Sequence, residues 1–354
     1  MTKTIYPSIN GLRAISILVV IVYHLSLMHP VHFSLDRNLF LTACIEFFTD
    51  GHLAVNTFFL LSGFLITALL LWEELETTRI SLKRFYARRL LRITPAYYFL
   101  LLVYFALQEL HFISISPASW LTALTYTKHV NWQNDWLTAH AWTLSIEENF
   151  YLIWPLIFLT GSKMRKWICF FLIVSAPLVR IYIHFHTISW INELSFFTRI
   201  DAIATGCLFA LYKDEIVVQL SIHWKKWFYG AICVLFFLRY VPEAFTYLGV
   251  DELNVVFIPL GLTHGTIANA AIGIVLFYSI FGPEGIWFKF LNLKVMNFIG
   301  VISYSLYLWQ QILVSESRIW ITQFPQNIFI LFLVASASYY FIEKPFLKLK
   351  SRFS

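Results

Sequence analysis

The sequence predicts an all-α polytopic membrane protein of about ten transmembrane helices, with both termini in the cytoplasm. Composition is the first ground: 59% of residues are hydrophobic, 19% aromatic and 13% charged, with mean hydropathy +0.69. Soluble domains hold roughly 45–50% apolar and ~25% charged residues. Length is the second: apolar runs recur from residue 9 to residue 346, and several reach the ~20 residues that a ~30 Å hydrocarbon core requires. Lipid offers backbone polar groups no outside partner, so such runs must be helices. Charge placement is the third, and it sets orientation.

The expected spans are 9–28, 52–72, 93–112, 142–160, 168–186, 200–216, 228–242, 255–281, 300–315 and 326–346. An even number of crossings leaves both ends on one side. That side collects nineteen Lys or Arg, against Arg37, Lys128 and Arg318 opposite, while Arg13, Arg180, Arg199 and Arg239 fall inside spans or at their edges. The positive-inside rule therefore puts the termini in the cytoplasm, as expected of a multi-pass protein of the inner (plasma) membrane. Residues 113–141, with Ser116, Pro117, Asn131, Asn134 and Asp135, are too polar to span and predict an outer loop with a short interfacial helix.

The net charge of +6 sits in short segments between apolar runs and builds no stacking platform, which excludes nucleic acid and leaves membrane lipids as partners. Cys44, Cys169, Cys207 and Cys233 show no paired spacing, so neither a disulfide framework nor a metal site is expected. The first apolar segment lacks a small-residue cleavage site and is expected to persist. Residues 1–354 are read as one membrane-embedded domain with no appended soluble domain.

Ionisable residues inside spans are costly unless satisfied, so each is a functional candidate. The first span carries Arg13 and His24. On a helix these share a face and stand about 16 Å apart along the axis, too far to bond and suited to a long ligand. Arg13 lies toward the cytoplasmic end, where it can meet a phosphate; His24 lies toward the outer side, where imidazole can act as general base. The structural account is a snorkelling Arg and a His satisfied by a neighbouring helix. Ahead of the third span, Arg88, Arg89 and Arg92 are three and four apart and form one basic surface suited to nucleotide phosphates, or equally to anionic headgroups.

At the outer end of the fourth span stand Glu147 and Glu148. They are ~100° apart around a helix, so at most one faces a given site. Ser145 and Glu148 match a capping box, which accounts for Glu148; Glu147 has no such role and can steady a catalytic histidine. Arg199 and Asp201 open the sixth span on nearly opposite faces, each seeking an acceptor sugar or another helix, with interhelical bonding ranked ahead for Asp201. Glu343-Lys344-Pro345 predicts a helix stop followed by a basic tail. Trp132, Trp136, Trp142 and Trp190 are accounted for as interfacial aromatics.

Together these segments resemble the acyltransferase 3 family of integral membrane acyltransferases. The matching stretches, in the family's order, are Asn10-Gly11-Leu12-Arg13 with His24, Phe58 to Ile66, Arg89 and Arg92 before Pro95-Ala96-Tyr97, Trp142 to Tyr151, Arg199-Ile200-Asp201, Ser303 to Trp309, and Glu343-Lys344-Pro345. The resemblance implies transfer of an acyl group, commonly acetyl, from cytoplasmic acyl-coenzyme A to a hydroxyl of an exported glycan such as lipopolysaccharide O-antigen. The donor is then a co-substrate, and no cofactor is permanently bound. It implies that His24 is catalytic and that Arg13, Arg89 and Arg92 bind the donor. Arg88 adjoins that donor surface, Glu147 steadies the imidazolium, and Arg199, Asp201, Glu148 and Ser62 lie on the substrate side. Whether transfer is direct or passes through an acyl group on His24 or Ser62 stays open. Two positions depart from the family's pattern: Asn56 stands where Asp is frequent, and Gln310 where His is frequent. Many relatives add an extracytoplasmic hydrolase-like domain; without it, this chain is expected to deliver the acyl group itself. The competing class is a proton-coupled transporter or flippase, in which the same buried charges form a relay.

Overall fold

The computed structural model describes residues 6–28, 47, 50–130, 135–186, 188, 191–192, 194–247, 254–315 and 319–350. Arg37, Cys44, Asn131, Trp132, Asn134, Trp190 and Arg318 lie outside the described residues. Among those described, the fold is all-α. In order the helices are α1 (Ile9–Met28), α2 (Gly51–Thr77), α3 (Leu82–Glu109), α4 (Pro117–Leu124), α5 (Trp136–Ala139), α6 (Ala141–Phe158), α7 (Ser162–Phe185) and α8 (Phe196–Leu211). They continue as α9 (Lys213–Ser221), α10 (Trp224–Tyr247), α11 (Asn254–Phe281), α12 (Ile286–Leu291), α13 (Lys294–Leu313), α14 (Gln326–Ser338) and α15 (Lys344–Lys350).

Every predicted span falls on a helix, and six helices among the described residues are long and apolar enough to cross a bilayer. The sixth span is the shortest match, since α8 has 16 residues and carries both Arg199 and Asp201. Residues 113–141 hold α4 and α5 rather than a span, as their polarity requires. Ser116 caps α4, its hydroxyl accepting from the Ser119 amide at 3.2 Å. Gly161, between α6 and α7, has φ +90°, a conformation L side chains rarely adopt, so a tight turn joins two long helices there.

Two local expectations are corrected. Helix α6 begins at Ala141, four residues ahead of Ser145, so the capping box does not form. The Ser145 hydroxyl donates to the Ala141 carbonyl at 2.8 Å and accepts from the Lys128 amide at 3.2 Å. Glu343-Lys344-Pro345 does not stop a helix either. A π turn over Tyr339–Glu343 leads directly into α15; its wider ladder accommodates the donor that Pro345 lacks.

The chain groups into two compact units: residues 1–20, 35–72 and 160–300, and residues 21–34, 73–159 and 301–354. In the first, Leu60, Phe64, Phe277 and Leu291 belong to one buried apolar cluster. Helices α2 and α8 meet at facing glycines. A Cβ on Gly63 would strike the Ile203 carbonyl, and one on Gly206 would strike the Leu60 carbonyl, the close backbone approach that small residues permit in lipid. Gly11 is similarly pressed against the Leu291 backbone, and Asn10 donates to the Asn297 side chain at 2.6 Å. Half of the Asn10-Gly11-Leu12-Arg13 motif thus serves packing.

In the second unit, tyrosine hydroxyls tie helix to helix. Tyr97 donates to the Ala123 carbonyl at 2.9 Å, Tyr304 to Ile93 at 2.9 Å and Tyr86 to Leu152 at 2.8 Å. Ser305 donates to the buried Glu343 carboxylate.

Candidate functional site

Helix α1 carries both Arg13 and His24. The His24 ring faces protein. Its Nδ1 lies 3.2 Å from Oε1 of Gln310 on α13, and the Trp136 ring of α5 stands edge-on at 5.5 Å. Trp136 is itself fixed, donating through its indole N–H to the Gln311 carbonyl at 2.8 Å and the Val314 carbonyl at 2.9 Å. Gln310 is fully buried, and its Nε2 has no hydrogen-bond partner among the described residues.

A second histidine adjoins the first. His140, which precedes α6, is 4% exposed, and neither ring nitrogen makes a well-aligned hydrogen bond. Its ring meets that of Tyr307 at 5.4 Å, and its carbonyl accepts from the Tyr307 hydroxyl at 2.5 Å. Tyr307 also pairs with Thr143 at 2.5 Å. Burial pushes the His140 imidazole down to about 3, with the neighbouring His24 and Lys128 acting in the same direction, so the ring is neutral at physiological pH. In the same loop Lys128 is fully buried, donating to the Ser119 hydroxyl at 3.0 Å and standing 3.8 Å from Asp135. Burial pushes its ammonium below the usual lysine range, and Asp135 opposes that shift.

Glu147 accepts from the Tyr151 hydroxyl one turn along α6, at 3.1 Å. Glu148 lies within electrostatic range of Arg89, and its Oε1 has no hydrogen-bond partner among the described residues. Arg89 of α3 stacks over the Tyr151 ring at 4.6 Å and has Arg92 beside it. Arg88 is committed elsewhere: it donates to Glu73 at 2.6 Å, and the same carboxylate accepts from the Ser81 amide at 2.9 Å, closing the turn between α2 and α3. The basic surface foreseen around Arg88, Arg89 and Arg92 thus divides into one structural arginine and two others.

In the first unit, Asp201 accepts from Arg180 at 2.9 Å and from Thr266 at 2.6 Å. Arg180 also donates to the Thr198 carbonyl and to Thr266, each at 2.5 Å. The network joins α7, α8 and α11, which is the interhelical bonding ranked ahead for Asp201. Arg199 lies in the first turn of α8, and Ser62 on α2 beside Gly63. Sequence reasoning did not foresee Gln310 as the partner of His24. The signal was an amide in the middle of a membrane span, noted only as a departure from a pattern.

The profile of a family described as an acyltransferase domain matches residues 6–342. The O-acetyltransferase OatA of Staphylococcus aureus strains NCTC 8325, COL and MRSA252 is 30% identical over 378 aligned positions, covering 97% of this chain. The chain spans 57% of the length of these relatives. No solved structure matches it.

Proposed function

Because the chain belongs to the acyltransferase 3 family, we propose that it is a membrane O-acetyltransferase taking an acetyl group from cytoplasmic acyl-coenzyme A to a hydroxyl of a cell-surface or exported glycan. The observation that carries this reading is the His24 imidazole. It is a titratable ring on a membrane-spanning helix, turned to Gln310 and Trp136 instead of lipid, in surroundings that hold it in one orientation. The 30% identity to proteins named O-acetyltransferases supports acetyl as the group moved and oxygen as its destination.

In the proposed scheme, Arg89 and Arg92 meet the phosphates of the donor, since guanidinium forks suit phosphate oxygens. His24 removes the proton from the acceptor hydroxyl as that oxygen attacks the thioester carbon, and coenzyme A leaves as the thiol. General-base assistance of this kind supplies about 10²–10⁴ in rate.

The test uses the purified full chain in liposomes with membrane glycan extract and labelled acetyl-coenzyme A. The proposed enzyme releases free thiol and labels the glycan; a transporter leaves the thioester intact. His24→Ala should lower both readouts at least ~100-fold while the protein stays inserted and monodisperse. Normal acetylation by that variant ends the proposal. Mass spectrometry of envelope polysaccharides from cells with and without the protein identifies the acceptor by a lost acetyl increment.

A further inference from the structure

We infer that Gln310 is a catalytic residue with two tasks: its side-chain oxygen fixes the His24 ring so that Nε2 is the proton acceptor, and its amide N–H polarises the thioester carbonyl during transfer. The inference rests on reading His24 as the general base. It adds a tautomer and an electrophilic partner that neither the sequence motifs nor the relatives assign.

The first task follows from chemistry at 3.2 Å. An amide oxygen can only accept, so the Nδ1 atom of His24 facing it carries the hydrogen, and the ring's lone pair is left on Nε2. A neutral amide does this without supplying a negative charge, so the imidazole is oriented but not held as imidazolium. Glu147, the carboxylate expected to steady the imidazolium, accepts from the Tyr151 hydroxyl at 3.1 Å.

The second task follows from what the amide leaves over. Gln310 is 0% exposed and its Nε2 has no acceptor among the described residues. Buried donors are nearly always paired, and one that is not needs a reason. His140 provides an independent pointer to the same place. It is also buried, its ring nitrogens also lack well-aligned partners, it adjoins Tyr307 one turn before Gln310 on α13, and it lies within electrostatic range of His24. The Gln310 amide, bonded to the imidazole that is to act on substrate, and the His140 ring within its electrostatic range are thus both buried polar groups with a ring or amide nitrogen that lacks a well-aligned partner among the described residues. A carbonyl oxygen brought to the amide satisfies it, and a donor aimed at an oxygen that becomes negative stabilises the transition state more than the ground state.

The step then balances. The acceptor hydroxyl gives its proton to Nε2 of His24 while its oxygen bonds to the thioester carbon. The carbonyl π pair moves onto the carbonyl oxygen, where the Gln310 N–H meets it. Collapse restores the C=O bond and breaks the C–S bond, and the coenzyme A thiolate takes the proton from the imidazolium. The products are an acetyl ester and a free thiol.

Three substitutions test the assignment, with Gln310→Glu isolating the donor. Gln310→Met keeps the length and loses both functions. Gln310→Glu keeps an acceptor and loses the donor. Gln310→His keeps both, because a neutral imidazole accepts at one nitrogen and donates at the other. With labelled acetyl-coenzyme A in liposomes, Gln310→Met and Gln310→Glu should lower kcat about 100-fold or more, the loss typical of one oxyanion donor, with KM for acetyl-coenzyme A within about threefold. Gln310→His should stay within about tenfold of the parent. Size-exclusion profiles in detergent confirm that each variant is folded. If Gln310→Met or Gln310→Glu keeps kcat within threefold while His24→Ala is inactive, the inference fails and the general-base reading stands. If His24→Ala is fully active, both fail.

Discussion

Asp201 separates scaffold from substrate contact. Its carboxylate is 2% exposed and Arg180 14% exposed, so the pair is largely out of water. Replacing Asp201 with Asn keeps the shape and removes the charge. The guanidinium retains the Thr198 carbonyl and the Thr266 hydroxyl but loses its counter-ion. Breaking one side of a buried pair costs about 3–5 kcal/mol, and the two surviving acceptors put Asp201→Asn near the lower end, about 3 kcal/mol. That is roughly a 150-fold change in the folded ratio and, for a chain of 354 residues, about 4 °C in melting temperature. The assay is thermal unfolding of detergent-solubilised protein, followed by labelling of the buried Cys169 and Cys207 with a thiol-reactive dye. Adding Arg180→Met to Asp201→Asn should recover at least ~2 kcal/mol, because the orphaned cation is gone. An Asp201→Asn protein that melts like the parent yet fails to transfer acetyl would refute this account and return Asp201 to the acceptor site.

Gly206→Val should destabilise by about 2–3 kcal/mol, since its Cβ would strike the Leu60 carbonyl; an unchanged melting temperature would contradict the α2–α8 crossing. Arg92→Ala should raise KM for acetyl-coenzyme A about tenfold by removing a charge-assisted phosphate contact, whereas Arg88→Ala should change that KM less than threefold and lower the melting temperature, because Arg88 serves Glu73. His140 predicts an acid limb in stability. Its folded value of about 3 lies below the ordinary 6.5, so the unfolded chain binds the extra proton and stability falls as pH drops from 6.5 toward 3, by up to about 1.4 kcal/mol per pH unit. His140→Phe should flatten that slope between pH 6.5 and 5; an identical slope in the variant argues against the buried neutral ring.

The helices were legible because lipid imposes one requirement on every span: a run of apolar side chains long enough to cross, with the backbone satisfied internally. The outer loop was legible for the converse reason. Local grammar was less dependable. Ser145 and Glu148 have the spacing of a capping box, yet α6 starts at Ala141, four residues upstream, and Ser145 is buried within it. Pro345 reads as a terminator, yet a π turn carries the helix through it. Capping and stop signals are weighted on surface helices whose ends meet water, and that weighting does not hold where packing covers the terminus.

Partners were the least legible feature, for a physical reason. A charge or amide in a low-dielectric interior bonds to whatever complementary group the bundle brings closest, and sequence separation carries no information about which group that is. His24 finds Gln310 286 positions away, Asp201 finds Arg180 21 positions back, and Arg88 finds Glu73 across a turn. His24 and Asp201 stand out in the sequence as ionisable residues within spans, whereas their partners emerge only from the coordinates. The Gln310 amide facing His24 has a chemical consequence. In the proposed reaction, a carboxylate partner, as expected of Glu147, would stabilise the imidazolium and bias the ring toward its protonated form, whereas an amide orients the ring without adding a charge. The general base proposed at His24 benefits from the second arrangement, because a ring protonated in advance could take no proton from an acceptor hydroxyl.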